Sequence, residues 1–147
     1  MIWIMIEHTV NIKGPVKYKK YIKKAVLSAL GYEKPDYECE INVKITDNRS
    51  IQSLNLQYRK KDCPTDVLSF SMGEINPENG KTQLGDIVIS IEKAREQSEE
   101  FETGLEGELM FLAAHATLHL LGYDHETSEE DDFAMREKQK EIAKIYE

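Results

Sequence analysis

Three of the four histidines in this 147-residue chain fall in one run, His115-Ala-Thr-Leu-His119-Leu-Leu-Gly-Tyr-Asp-His125. On a helix, residues four apart are separated by about 40° around the axis and roughly 6 Å along it, so His115 and His119 face one point. Gly122 can take up positive φ, end the helix and turn the chain back, which brings His125 round as a third ligand. Three neutral imidazoles with no fourth protein ligand in the run match a catalytic zinc site with an open water position. The same donor set suits other divalent transition metals such as nickel or iron. The surrounding segment, from Leu105 to Leu121, is apolar on nearly every side, which predicts a buried helix. Two imidazoles there each cost a few kcal/mol of desolvation unless they find partners. A metal ion satisfies both and leaves their second ring nitrogens for outer acceptors. His8 stands alone and reads as a satisfied core residue or one near the surface.

The spacing HxxxHxxGxxH is also that of the metzincin zinc proteases, which carry a glutamate general base directly after the first histidine. This chain has Ala116 there. A methyl group accepts no proton, so peptide hydrolysis of that kind lacks its base. Asp124 can orient a ligand histidine, act as a base, or be only a turn residue; no general base is assigned. A second constellation lies upstream, where Arg59, Lys60 and Lys61 precede Asp62-Cys63-Pro64-Thr65-Asp66 and an apolar run. Arginine suits a phosphate because its planar fork donates two parallel hydrogen bonds. The plainer reading is a helix C-terminus with basic residues against its dipole, followed by ordinary turn chemistry.

These residues need a scaffold, and hydrophobic periodicity supplies one. Residues 2–9 read as a strand, and Gly14-Pro15 opens a helix to about Leu30, with Gly31 as its stop. Residues 38–46 read as a second strand. Asp47 or Asn48 caps a helix to about Arg59 with Ile51, Leu54 and Tyr58 inward. Residues 67–72 and 84–90 read as strands joined by a long polar connection, either a flap beside the site or a wide turn. Ser90 caps a helix over 91–101, the histidine helix spans 105–121, and Thr127 with Glu130 opens a last helix through a capping box. The order βαβαββααα predicts a single α+β domain over residues 1–147. It would hold a mixed four-stranded sheet packed with about five helices, with the metal site on a central helix and the following turn.

Bulk composition narrows the class. With 40% hydrophobic and 31% charged residues the chain is neither disordered nor membrane-embedded, and no apolar run spans a bilayer. The N-terminal segment lacks the basic region and cleavage site of a signal peptide, and two cysteines without metal spacing fit a reducing, cytoplasmic setting. The net charge of −8 is unevenly spread. Residues 1–61 hold 12 basic and 6 acidic side chains, whereas residues 62–147 hold 7 and 21. That asymmetry allows a basic surface on an acidic protein, although the lysines at 17, 19, 20, 23 and 24 also read as the solvated face of one helix.

Taken together, the two runs resemble the bacterial YbeY family of rRNA-maturation endoribonucleases. The family's HGxLHLxGYDH is met by HATLHLLGYDH, differing at Ala116. Its arginine, aspartate and PTDVLSF are met by Arg59, Asp62 and residues 64–70, and its LGDIxIS by residues 84–90. The resemblance implies a single-strand-specific, metal-dependent endoribonuclease acting in 16S rRNA 3′-end maturation and ribosome quality control. It implies His115, His119 and His125 as ligands of one zinc ion, and Arg59 as a residue of the activity. It further implies as partners single-stranded rRNA, the small ribosomal subunit, a small-subunit ribosomal protein and the GTPase Era, with no membrane. Two other readings stay open: a non-catalytic ribosome assembly factor with structural zinc, and a metalloprotease of altered mechanism.

Overall fold

The computed structural model describes residues 6–122. Four strands, β1 (Thr9–Lys13), β2 (Cys39–Thr46), β3 (Val67–Ile75) and β4 (Thr82–Ser90), form one sheet in the order β1-β2-β4-β3. The first three in that order are parallel and β3 runs antiparallel against β4, so the expected mixed α+β sheet is present with β3 at its edge. Four helices are described: α1 (Val16–Glu33), α2 (Asn48–Arg59), α3 (Ile91–Phe101) and α4 (Leu105–Leu120). The helix expected from Thr127 lies outside the described residues.

Alternation decides which face of the sheet is covered. Ile41, Val43 and Ile45 of β2, with Ile87 and Ile89 of β4, point to one side and pack against α1 and α4. α1 contributes Tyr18, Ile22, Ala25, Val26, Ala29 and Leu30 at helical spacing. α4 is buried on several sides, at Leu109, Leu112, Ala113, Ala116 and Leu118, as its nearly continuous apolar sequence requires. On the opposite side α2 covers only the β3–β4 half, with Ile51 and Leu54 against Leu68 and Val88.

Helix starts follow capping chemistry. Ser50 N–H donates to Asp47 Oδ1 at 2.8 Å, and Lys93 N–H donates to Ser90 Oγ at 3.3 Å. Several expectations differ from the structure, among them the strand ends: β3 runs to Ile75 and β4 starts at Thr82, because their pairing continues past the expected 67–72 and 84–90. The first strand is Thr9–Lys13, because pairing with β2 sets it and that ladder starts at Thr9↔Glu40; residues 6–8 precede it and residues 2–5 are not described. Gly31 does not stop α1, which runs on to Glu33 and ends at Lys34 in the left-handed region, with Tyr32 packed on the core. Tyr58 is not inward: it is 60% exposed and meets Phe70 edge-to-face at 5.1 Å.

The long connection between β3 and β4 is a wide turn. Glu40, itself buried, accepts hydrogen bonds from Asn76 Nδ2 (2.8 Å), Asn79 Nδ2 (3.1 Å), Asn11 Nδ2 (3.2 Å) and Gln83 Nε2 (3.5 Å). Those amides hold its carboxyl below the usual glutamate range, against the opposing effect of burial. The turn is thereby pinned to the start of β2, at the other end of the sheet from the histidines.

Candidate active site

The functional residues meet where α4 crosses the first residues of the edge strand. A cleft of about 420 Å³ is lined by Arg59 of α2, residues 65–69 of the loop and β3, and Phe111, Leu112, His115, Ala116 and His119 of α4. Three of the four side chains singled out from sequence therefore share one cavity. The fourth, His125, lies outside the described residues, as do Asp124 and Tyr123.

Four-residue spacing does what helical geometry demands. The rings of His115 and His119 lie 4.5 Å apart between centroids, at an interplanar angle of 38°, and both are half-buried at the cleft wall. One turn earlier Phe111 stacks on His115 at 6.2 Å and 28°, limiting the orientations open to that ring. Behind them the helix is anchored by apolar burial and by Thr117, whose hydroxyl donates to the Ala113 carbonyl at 2.8 Å. After Leu121, Gly122 takes φ +109° and its N–H donates to the His119 carbonyl at 3.0 Å, the turn expected to redirect the chain.

Arg59 arrives from the other side of the edge strand, at the last position of α2. What places it is a clamp between α2 and the next loop. The buried Asn55 donates from Nδ2 to the Cys63 carbonyl at 3.0 Å, while its backbone carbonyl accepts from Lys61 N–H at 3.2 Å. Gln52 Nε2 adds a bond to Asp62 Oδ1 at 2.9 Å. The loop then delivers Thr65 and Asp66 into the cleft wall. Asp66 is committed to structure: Oδ1 accepts from Val67 N–H (2.8 Å) and Thr65 Oγ1 (3.3 Å), and Oδ2 from Gln97 Nε2 (3.2 Å).

Close packing at Gly85 keeps β3 and α4 in register. A Cβ there would press into the Phe70 carbonyl oxygen, far inside van der Waals contact, and sit 2.9 Å from Leu120 Cδ2. Two α4 turns before His115, buried Glu108 accepts from Thr103 Oγ1 at 3.2 Å. Desolvation first, and the nearby Asp66 charge after it, push its carboxyl above the usual glutamate range; the Thr103 bond opposes them. His8 lies outside this cleft. Its Nδ1 accepts from Cys39 N–H at 3.0 Å, a satisfied structural histidine whose pKa burial lowers, with the Lys81 charge a second cause.

Sequence reasoning missed Phe111, Thr65, Ser69 and Glu108. Phe111 was findable, since it precedes His115 by four residues on the same helical face. Thr65 and Ser69 become neighbours of the histidines only through tertiary contact between α4 and the edge strand. Among the described residues no three His, Cys, Asp or Glu side chains gather into a metal-sized group. The pair His115 and His119 still supplies two convergent imidazole donors, a set that zinc accepts. No described helix is long and apolar enough to cross a membrane.

An arginine and two neighbouring imidazoles line one cleft, side chains whose chemistry suits an anionic group and a metal ion. Comparison with known proteins agrees with that chemistry. The family model for Endoribonuclease YbeY matches residues 5–147. Curated proteins named Endoribonuclease YbeY include one from Oceanobacillus iheyensis, 53% identical over 71% of this chain and 72% of that protein. Another from Lachnoclostridium phytofermentans is 40% identical over 95% and 94%. A protein from Thermotoga maritima with a solution structure matches with a TM-score of 0.62 and 31% identity, over 91% of this chain and 86% of that one. The chain belongs to the YbeY endoribonuclease family.

Proposed function

We propose that this protein is a metal-dependent endoribonuclease that cuts single-stranded rRNA, with 16S rRNA 3′-end maturation and ribosome quality control as its setting. The observation that carries the reading is that Arg59, His115 and His119 line one cleft although they come from opposite sides of the edge strand. Family membership supports the RNA substrate. The finer assignments come from the family resemblance and the cysteine usage, with the imidazole pair supporting the metal: one zinc or similar divalent ion per chain, the small ribosomal subunit with a ribosomal protein and the GTPase Era as partners, and action in the cytoplasm.

His115 and His119, with His125 from the following turn, would hold the ion. When bound, such an ion polarises a phosphoryl oxygen or lowers the pKa of a bound water toward neutrality. The rest of the work falls to the chain. Arg59 donates two parallel hydrogen bonds to non-bridging phosphate oxygens and offsets charge that grows as the phosphodiester is attacked. Phe111 fixes the His115 ring, which confines its metal-facing nitrogen. The Ser69 hydroxyl on the β3 side would donate to the phosphate, while the Thr65 hydroxyl is donated to Asp66. Leu112 and Ala116 form an apolar floor that keeps these charges from being fully hydrated.

Ala116 argues against the protease alternative, since the position that holds a base in zincins here carries a methyl group against the cleft floor. The test is direct. Chelator-treated protein should lose cleavage of a defined single-stranded RNA and regain it when zinc is returned, and His115→Ala should bind less metal and stay inactive. Full metal content and full cleavage in His115→Ala would refute the proposal.

A further inference from the structure

The second face of the sheet carries a row of polar and charged side chains outside the patch that α2 covers. Register places Asn11, Asn42, Asp86 and Phe70 in one row across all four strands, with Lys13 and Lys44 side by side in the next. α2 covers the Leu68–Val88 end, and no described helix lies over the rest, where Asn11, Lys13 and Lys44 are exposed. Between them lies a depression of about 420 Å³ lined by Asn11, Lys13, Asn42, Lys44 and Asp86. Its floor is organised: Asn11 Nδ2 donates to Asn42 Oδ1 at 3.0 Å, and Asn42 Nδ2 donates to Asp86 Oδ1 at 3.0 Å. A polar chain of this kind holds donors and acceptors in fixed directions along the surface.

We propose that this open face binds the single-stranded RNA that flanks the cut site, a role that rests on the endoribonuclease reading only for the identity of the polymer. Three observations select RNA. Lys13 and Lys44 are adjacent cations placed to meet backbone phosphates. With Asn11 Nδ2 committed to Glu40 and Asn42, the Asn11 amide oxygen, the second Asn42 N–H and Asp86 Oδ2 are left for unpaired base edges, which duplex RNA keeps occupied. Tyr58 and Phe70 form an aromatic pair at the margin of the face, with Tyr58 60% exposed and able to stack on a base.

Continuity with the cleft supplies the path. Tyr58 immediately precedes Arg59, and Phe70 immediately follows Ser69, so the aromatic pair adjoins two cleft-lining residues across the edge strand. From β3 to β1 the sheet is roughly 14 Å wide at about 4.8 Å per strand spacing, the reach of a short run of nucleotides. RNA lying over β1 and β2 would leave the open face past the Tyr58–Phe70 pair, where α2 ends, with its scissile phosphate against Arg59 and the histidines.

The test compares wild type with Lys13→Glu/Lys44→Glu and with Lys13→Arg/Lys44→Arg, using a labelled single-stranded RNA of about twelve nucleotides and the same sequence as a duplex. The Glu pair should weaken single-strand binding about tenfold or more and lower the slope of log affinity against log salt by about 1.4, at roughly 0.7 per phosphate contact. The Arg pair should restore both, and duplex affinity should change little. Unchanged single-strand binding in the Glu pair overturns the proposal, as does failure of the Arg pair to restore it. If the Glu pair loses binding while zinc-loaded wild type cuts no RNA, the platform stands and the nuclease reading falls.

Discussion

At the scale of single residues, two carboxyl groups of the scaffold have their ionisation shifted in opposite directions by their surroundings. Glu108 is kept toward its neutral form by burial and by the charge of Asp66. A carboxyl whose folded pKa is raised contributes stability that is fully present below its unfolded pKa and is lost as pH rises through the folded value. Glu108→Gln removes the cost of ionisation and keeps an acceptor for Thr103, so it should raise Tm at pH 8 and leave it nearly unchanged at pH 4. Equal Tm differences at the two pH values would contradict this account. Glu40 is shifted the other way, downward, chiefly by the Asn76 amide. Its stabilisation is present above the unfolded carboxylate pKa and is lost as pH falls through the lowered one. Glu40→Gln should cost about 2 kcal/mol at neutral pH, the scale of hydrogen bonds to a charged group. In urea titrations the difference from wild type should shrink steadily below pH 4.

At the scale of elements, the site is a contact between one helix and one edge strand, held in register by Gly85 and by the Asn55 clamp. Gly85→Ala should lower stability by several kcal/mol, because the added methyl meets backbone that has no room to move. Asn55→Ala is more selective. It should weaken RNA cleavage severalfold through misplacement of Arg59 while leaving zinc content unchanged, since the clamp does not touch α4. Loss of zinc in that variant would contradict the separation of the two halves. Much of this element structure was legible in sequence. The Asp47 and Ser90 caps and the apolar α4 announced their helices through local chemistry. Residues 6–8 read as part of the first strand because the run Met1–Ile6 is continuously apolar, whereas the short alternation of Val10 and Ile12 is weak and only pairing with β2 marks Thr9–Lys13 as strand. The extension of α1 past Gly31 depends on core contacts of Leu30 and Tyr32, which no local rule supplies.

At the scale of the whole molecule, one sheet separates the histidine cleft from a polar, partly open face. The helix-covered face carries the cleft, and the open face carries the lysines and the amide row. Sequence revealed Arg59, His115 and His119 through spacing and type, but not that Arg59 reaches them from the opposite side of the sheet, because that depends on β3 lying at the edge. In the proposed reaction these residues act on one phosphate, with the histidines holding metal and the arginine acting on substrate. The most direct test is cleavage of a defined single-stranded RNA by wild type, Arg59→Glu and His119→Ala, each with its zinc content measured. The account predicts that both variants lose cleavage by about a hundredfold or more, with zinc retained in Arg59→Glu and lost in His119→Ala. Cleavage at wild-type rate by either variant would contradict it.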